Sequence, residues 1–432
     1  MSSSTISDTL SNDFATPIAQ RVQQRGLLAR LRAATCYVAL LVSFLQINGL
    51  QFLFLPLALL PPTRPLYHMG IRYTKAAFGI VLVFMCQAFA PTKFRVTYEI
   101  SGSYSEEWLE VDPKSGSLML KLPKKLVVIS NHQIYADWWY LWVLSYMANT
   151  HAYILIVLKR SLKWLPVLGW GMQFFDFIFV RAGPSTMKTL TSHLSRLAAH
   201  HVTTTADRPE DDEPLNFLLF PEGTLVSRDT YPKSTKYAEK MNLPHPEHLL
   251  LPRSTGLHTT LLALSQLPSL YLMDVTMLYP GIPVTKFGQD YYTLRSIFID
   301  GVSPPEVVYH IRLYNVQKEV PIRANGTDTN TGLTMEQRKH LAHSMSKDPT
   351  MLEIGEEDKV VFDTWLRERW REKDQMIDSW LKRGGKGPIA TGDNIKEVVL
   401  PVKLRSIWEL VGPFLAFAPI AVAYYSLSNR SS

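Results

Sequence analysis

His132 and Asp137, a histidine and an aspartate with four residues between them, offer the parts of a general-base pair. An aspartate that accepts from one imidazole nitrogen fixes the ring's tautomer and leaves the other nitrogen free to take a proton. The spacing alone decides little, since a chain of this length carries roughly one such pair by chance. His343 and Asp348 repeat it in a polar stretch beside Pro349, with no buried strand before them, and read as solvated surface. His132 differs because it follows Leu126-Val127-Val128-Ile129, a short β-rich run that reads as a buried strand. Loops at strand ends carry active sites in α/β folds. On an ideal helix, positions i and i+5 lie about 140° apart and do not face each other. The pair therefore meets only with His132 in the turn before a helix and Asp137 in its first winding. A capping aspartate beside a packed histidine is the competing reading.

Three further blocks have polar groups suited to an anionic substrate. Phe220-Pro221-Glu222-Gly223-Thr224 closes a second apolar run. There Pro221 fixes the backbone, Gly223 permits a positive φ or close approach, and Glu222 and Thr224 offer an acceptor and a hydroxyl. Lys159 opens a loop bracketed by Pro166 and Gly169, and Arg181 follows the strand candidate Phe177–Val180. A guanidinium at that strand end suits a phosphate in a bidentate fork, although a surface arginine snorkelling at a membrane interface is the bland alternative. Leu250-Leu251-Pro252-Arg253-Ser254-Thr255-Gly256 reads as a strand end turning into an apolar helix, and Pro252 joins the candidate substrate-binding set.

Elements of two kinds must position these residues. Strands are expected at Phe94–Ile100, Leu126–Ile129, Ala152–Leu158, Phe177–Val180, Asn216–Phe220, Tyr271–Leu278 and Val307–Leu313. Helices are expected at Trp138–Met147, Thr186–His201 and Lys359–Leu381, with a surface hairpin or loop at 102–118, a solvated loop at 203–214 and a polar loop or insertion at 324–349. The alternation implies an α/β core with a mixed, partly parallel sheet flanked by helices. The boundaries expected are a basic tail at 1–32, membrane-inserted helical segments at 33–95 and a catalytic domain at 96–320. A polar insertion at 321–350, an amphipathic helix at 351–385, and a linker with a C-terminal hydrophobic segment at 386–432 follow.

The net charge of +7 suggests anionic partners, and without a dense Lys/Arg cluster a membrane surface or phosphate-bearing substrate is more economical than nucleic acid. Cys36 and Cys86 both lie in apolar runs and cannot form a Cys/His metal site. Ala34–Pro62 is a long uncharged run that reads as bilayer-inserted, while Ala76–Ala90 is short for a span unless its flanks extend it. Residues 407–427 form a possible C-terminal transmembrane helix, weakened by Glu409, Pro413 and Pro419. Basic residues flank both N-terminal segments and also separate them (Arg64, Arg72, Lys75), which favours a hairpin dipping into the cytoplasmic leaflet over two full spans. No sequence feature sets an oligomeric state.

Taken in order, these blocks resemble the 1-acyl-glycerol-3-phosphate acyltransferase family, in particular its branch containing lysocardiolipin- and lysophosphatidylinositol-acylating enzymes. The resemblance covers roughly residues 35–380. It is carried by Asn131-His132 through Asp137-Trp138-Trp139, Gly169–Gln173 with Phe177–Phe179, Phe220–Thr224, and Asp274-Val275-Thr276. It implies a glycerolipid acyltransferase domain anchored by N-terminal helices, acyl-CoA as co-substrate, no cofactor and no metal. It also implies that Arg181, Glu222 and Gly223 help bind a phosphate-bearing lysophospholipid acceptor.

The expected reaction is acyl transfer to a lysophospholipid hydroxyl, first of all 1-acyl-sn-glycerol-3-phosphate, with lysophosphatidylinositol or lysocardiolipin remodelling as the alternative. A non-catalytic membrane lipid-binding scaffold is the competitor from another class. The expected location is the endoplasmic reticulum membrane with the site facing the cytoplasm. One departure stands out: Leu225 follows Thr224 where the family often has arginine, which directs attention to Arg228, Lys233 or Lys236 for the head group. With no Gly-x-Ser-x-Gly elbow and no cysteine near a motif, a covalent acyl-enzyme is not expected.

Overall fold

The computed structural model describes residues 13–21, 26–100, 109–111, 118–181, 185–208, 212–324, 332–415 and 417. The start of the expected N-terminal tail, most of the loop at 102–118 and nearly all of the C-terminal hydrophobic segment after Leu415 lie outside the described residues.

Helices α1 (Leu27–Phe54) and α2 (Arg64–Phe89) are joined through short 3-10 turns at Leu55–Ala58 and Pro61–Thr63. Pro56, Pro61 and Pro62 lack amide protons, so one continuous helix cannot pass through them. Contacts of Phe54 with Gly70, Gln51 with Thr74, Phe44 with Phe78, and Arg32 with the Phe89 carbonyl make the two helices an antiparallel hairpin. Glycine permits that approach, because a Cβ at position 70 would sit 2.5 Å from the Phe54 ring.

The short apolar segment at 76–90 is thus extended by its N-terminal flank into a 26-residue helix. Both helices are long and apolar enough to cross a membrane, yet the apolar window of α1 is 28% buried and that of α2 is 67% buried. The globular body holds α2 along its length. Arg72 pairs with Glu213, Lys75 Nζ donates to the Ile154 carbonyl at 3.1 Å, and Trp139 Nε1 donates to the Leu82 carbonyl at 3.2 Å. In contrast, α1 leaves Leu28, Val38, Leu41 and Leu45 exposed, an apolar face suited to membrane association.

The sheet elements follow as β1 (Lys93–Glu99), β2 (Leu109–Val111), β3 (Leu118–Leu120), β4 (Lys125–Ser130), β5 (Ile154–Lys159), β6 (Ile178–Val180), β7 (Leu215–Leu219), β8 (Leu270–Leu278), β9 (Glu306–Asn315) and β10 (Ile395–Pro401). Eight of them form one mixed sheet in the order β10-β1-β9-β8-β4-β7-β5-β6, and β2 pairs separately with β3. From β8 to β6 every neighbouring pair is parallel, whereas β9 runs against β8 and β10 against β1. The fully buried residues of β4 match the continuous apolar run expected of a strand covered on both faces.

The remaining α-helices of five or more residues among the described residues are α3 (Asp137–Met147), α4 (Leu168–Phe174), α5 (Ser185–Asp207), α6 (Tyr231–Lys240), α7 (Ser254–Leu264), α8 (Met335–Lys347), α9 (Glu356–Lys382) and the short α10 (Val411–Leu415). Crossovers between parallel strands are right-handed. The connection from β4 to β5 and those from β6 to β7 and β7 to β8 run in opposite directions across the sheet, which puts α3 on one face and α5 and α7 on the other. On the α3 face lies the hairpin, with Phe78 against Trp142 at 4.8 Å between ring centres.

Three sequence expectations are corrected. The stretch 203–214 is not simply a solvated loop: α5 continues to Asp207, and Asp212 pairs with Lys125 Nζ at 2.8 Å. Residues 324–349 are not a polar loop throughout but include α8, whose N-terminus is closed by a Thr334–Gln337 capping box. Residues 386–432 are more than a linker and hydrophobic segment, because β10 adds an edge strand paired with β1 in the register Val96↔Val398. At the start of the expected C-terminal span, Glu409 accepts from the Tyr146 hydroxyl at 2.6 Å, which ties that segment to α3.

Candidate active site

The parallel strands end at one edge of the sheet, where amides and carbonyls lose their ladder partners and loops can converge. His132 follows β4, Phe220 follows β7, Tyr279 follows β8, Lys159 ends β5 and Arg181 follows β6. Asn131 secures the β4 exit by donating to the Met277 carbonyl at 2.9 Å and accepting from the Met277 amide at 2.8 Å, in the manner of a backbone pair.

His132 and Asp137 meet as the spacing required, one in the turn and the other in the first turn of α3. His132 Nδ1 lies 2.7 Å from Asp137 Oδ2. That oxygen also accepts from the amides of Gln133 at 2.6 Å and Ile134 at 3.1 Å, while Oδ1 accepts from the Tyr279 hydroxyl at 2.6 Å. A carboxylate with no solvent exposure is costly unless its lone pairs are filled, and here four donors fill them. Because an ionised carboxylate only accepts, the proton of this pair is assigned to Nδ1, and Nε2 presents a lone pair. Nε2 has no hydrogen-bond partner among the described residues, and the ring keeps 17% of its side chain exposed. Its face stacks on Phe220 at 4.2 Å, which restricts the direction in which Nε2 points.

Phe220–Thr224 forms a tight bend closed by the Gly223 amide donating to the Phe220 carbonyl at 2.9 Å, with Gly223 at φ +72°. Glu222, expected to touch the acceptor, instead lies beneath the bend at 2% exposure. It accepts from the His132 amide and the Leu250 amide, each at 3.3 Å, and so joins the His132 loop to the 250–253 segment. Burial pushes this carboxyl up to about 8, opposed by those two amides and by the Lys373 charge. The physical reason for its place is demand: one amide at the end of β4 and one in the irregular segment before α7, where no strand forms, need an acceptor outside any ladder.

Gly223 is exposed and Thr224 half-buried beside it. Leu225 is buried at 6% exposure, so this position faces the core and could not present an arginine to a head group. Pro252 is also buried and offers no donor; the exposed side chain of that block belongs to Arg253, whose amide donates to the Pro221 carbonyl at 2.8 Å. Lys159 and Arg181 are exposed on the same sheet edge, but two and three strands from β4, or about 10 and 14 Å. Arg228, proposed from sequence for the head group, pairs with Asp290 at 3.1 Å.

Sequence reasoning missed Tyr279, Lys373 and the placement of Arg253. Tyr279 had a usable signal as the first residue after a strand. Lys373 had none: it reaches from α9 to Asp274 at 2.6 Å and to the Val275 carbonyl at 2.7 Å, a buried contact between elements far apart in sequence. His343 is exposed on α8 and Asp348 is exposed at its end, so the second His-x4-Asp pair has no comparable setting.

A cavity of about 260 Å³ opens beside the loop, lined by Gln133, Val226, Tyr231, Tyr279, Lys286 and Phe287 among others. A separate apolar groove of about 730 Å³ lies between the hairpin and the C-terminal segment, where Val38, Val42, Phe84, Trp408 and Phe414 line it. Glu247, His248 and Asp378 lie close enough to gather a cation, but Lys382 already occupies Asp378 at 2.6 Å.

The family model described as Acyltransferase matches residues 115–277, a span that contains β4, β7, the loops that follow them and all but the last residue of β8. An uncharacterized acyltransferase of Schizosaccharomyces pombe is 31% identical over 83% of this chain and 87% of its own length. The 2-acyl-1-lysophosphatidylinositol acyltransferase of Saccharomyces cerevisiae is 32% identical over 73% of this chain and 76% of its own. Lysocardiolipin acyltransferase 1 of Danio rerio is 28% identical over 60% and 53%, respectively. No solved structure matches the chain.

Proposed function

Since the chain belongs to the acyltransferase family, we propose that it transfers a fatty acyl group from acyl-CoA to the free hydroxyl of a lysophospholipid at a membrane surface. The observation that carries this reading is the His132–Asp137 pair, with an unpartnered Nε2 beside the Pro-Glu-Gly-Thr bend. His132 Nε2 takes the proton of the acceptor hydroxyl as its oxygen attacks the thioester carbonyl. The C–O bond forms, the C–S bond breaks, and the proton passes from the imidazolium to the leaving thiolate. Asp137 stabilises the transient imidazolium and holds the ring, and such proton transfer contributes about 10²–10⁴ in rate.

Among acceptors, 2-acyl-lysophosphatidylinositol comes first, supported by the yeast relative that carries that name at 32% identity. Lysophosphatidic acid, implied by the resemblance of the motif blocks, is the second reading. The protein sits in the endoplasmic reticulum membrane with the site toward the cytoplasm, supported by a hairpin whose second helix is fastened to the globular body at Arg72, Lys75 and Leu82. Such a position keeps the acyl chains in lipid, where each CH₂ held from water is worth about 0.8 kcal/mol.

The test is purified protein with labelled oleoyl-CoA and a panel of lysophosphatidylinositol, lysophosphatidic acid and lysocardiolipin isomers, read by product mass. A diacyl product with free CoA is expected. No transfer to any member of the panel would remove the enzymatic reading and favour a scaffold.

A further inference from the structure

The head-group cation expected after Thr224 is missing, and Leu225 in its place faces the core. A different residue occupies the open side of the bend. The position a Cβ would take on Gly223 lies 3.6 Å from Cδ, 3.7 Å from Nε and 3.8 Å from Cζ of Arg253. The guanidinium therefore lies over the one residue of the bend that has no side chain to crowd it. Its backbone is held there by the bond to Pro221 and by the buried Pro252 behind it. The guanidinium has no hydrogen bond or ion pair among the described residues, while the nearby alternative Arg228 is engaged by Asp290.

The bend beneath Arg253 is continuous with the proton-accepting pair. Phe220 stacks on the His132 ring, and Glu222 accepts from the His132 amide. We propose that Arg253 binds the phosphate of the lysophospholipid acceptor, using a planar fork of donors to hold it against the Gly223 bend with the free hydroxyl turned toward His132 Nε2. This rests on the acyl-transfer reading and deepens it, since it assigns the acceptor phosphate to a residue outside the family's usual position. The fork matches two phosphate oxygens at once, which a lysine cannot do.

The experiment compares wild type, R253K and R253Q in the lysolipid transfer assay, with acceptor and acyl-CoA varied separately. The acceptor KM is expected to rise about ten- to a hundredfold in R253Q and by less in R253K, the range of a charge-assisted hydrogen-bond pair. The KM for acyl-CoA should stay within twofold (about the assay's scatter for one lost distant contact). An unchanged acceptor KM overturns the assignment, as does a rise confined to acyl-CoA, which would give the guanidinium to the donor's phosphates instead. Binding of lysophosphatidylinositol to H132A, with and without R253Q, reads the same contact without turnover and must weaken in the double variant. Wild type inactive on every lysolipid would defeat the acyl-transfer reading itself, and is thereby distinguished from failure at Arg253.

Discussion

Tyr279 donates its hydroxyl to Oδ1 of Asp137 at 2.6 Å across 142 residues of sequence, so the carboxylate that orients His132 is itself gripped from the end of β8. Burial and the Asp137 charge hold the phenol well above its ordinary range, so it remains a donor at every working pH. A hydrogen bond to a charged group contributes about 1.5–3 kcal/mol. Tyr279→Phe should lower kcat by about three- to tenfold with both KM values nearly unchanged. Steady-state kinetics check it, and a full-rate Y279F would show that the carboxylate needs no second anchor.

Asp137→Asn tests the other half of the grip. Oδ2 receives three N–H donors, and an amide oxygen in its place can still accept from all three while its NH2 turns to the Tyr279 hydroxyl, so what the substitution removes is the negative charge that stabilises the imidazolium. The expected loss in kcat is about 10²–10⁴. Retention of more than a tenth of the activity would show that the ring needs an acceptor at this position and not its charge.

Glu222 should matter for stability before chemistry. Glu222→Ala leaves two buried amides without their acceptor, at a cost of about 2–4 kcal/mol, whereas Glu222→Gln keeps one oxygen, can serve only one of the two amides, and should lose about half as much. The pH dependence has a definite sign. The folded-state carboxyl is raised from its ordinary 4.5 to about 8, so between these values the folded chain holds a proton that the unfolded chain has released. Unfolding free energy therefore falls as pH rises across that window and levels off above it. Thermal melts of wild type relative to E222Q should show wild type losing ground between pH 5 and 8. A difference that grows with pH would give Glu222 an ionised, charge-paired role.

The two hairpin helices should respond oppositely to charge. Leu41 and Leu45 on α1 are 39% and 50% exposed, while Val81 on α2 is fully buried. L41K/L45K should release the protein from vesicles while the near-UV circular dichroism stays native, at about 2.5–3.5 kcal/mol per lysine removed from hydrocarbon. V81K should unfold or aggregate. Flotation and circular dichroism separate the two, and the reverse pattern would put α2 rather than α1 in the lipid.

Much of this geometry was legible because β4 and β7 are short apolar runs ending in turn residues, and because a pair at i and i+5 can meet only across a helix start. The position of Arg253 was not legible. Its meaning comes from a side chain lying across a bend about thirty residues earlier in sequence, and tertiary contacts of that kind leave no local pattern. Glu222 was placed in the right bend but facing the wrong way, since sequence shows an acidic residue and hides which amides lack partners. Helix α8 could have been found, for Thr334 and Gln337 carry a capping-box spacing that the polar composition obscured. Strand β10 was hidden by its exposure: an edge strand with only one neighbour has no need of an apolar run.

The most direct measurement is turnover of H132A with labelled acyl-CoA and lysophosphatidylinositol, taken with its melting temperature and vesicle binding. A base that accepts the hydroxyl proton predicts a fall of about 10²–10⁴ in kcat, with native melting and membrane association retained. Transfer by H132A at a rate near wild type would contradict the assignment of the proton to this imidazole.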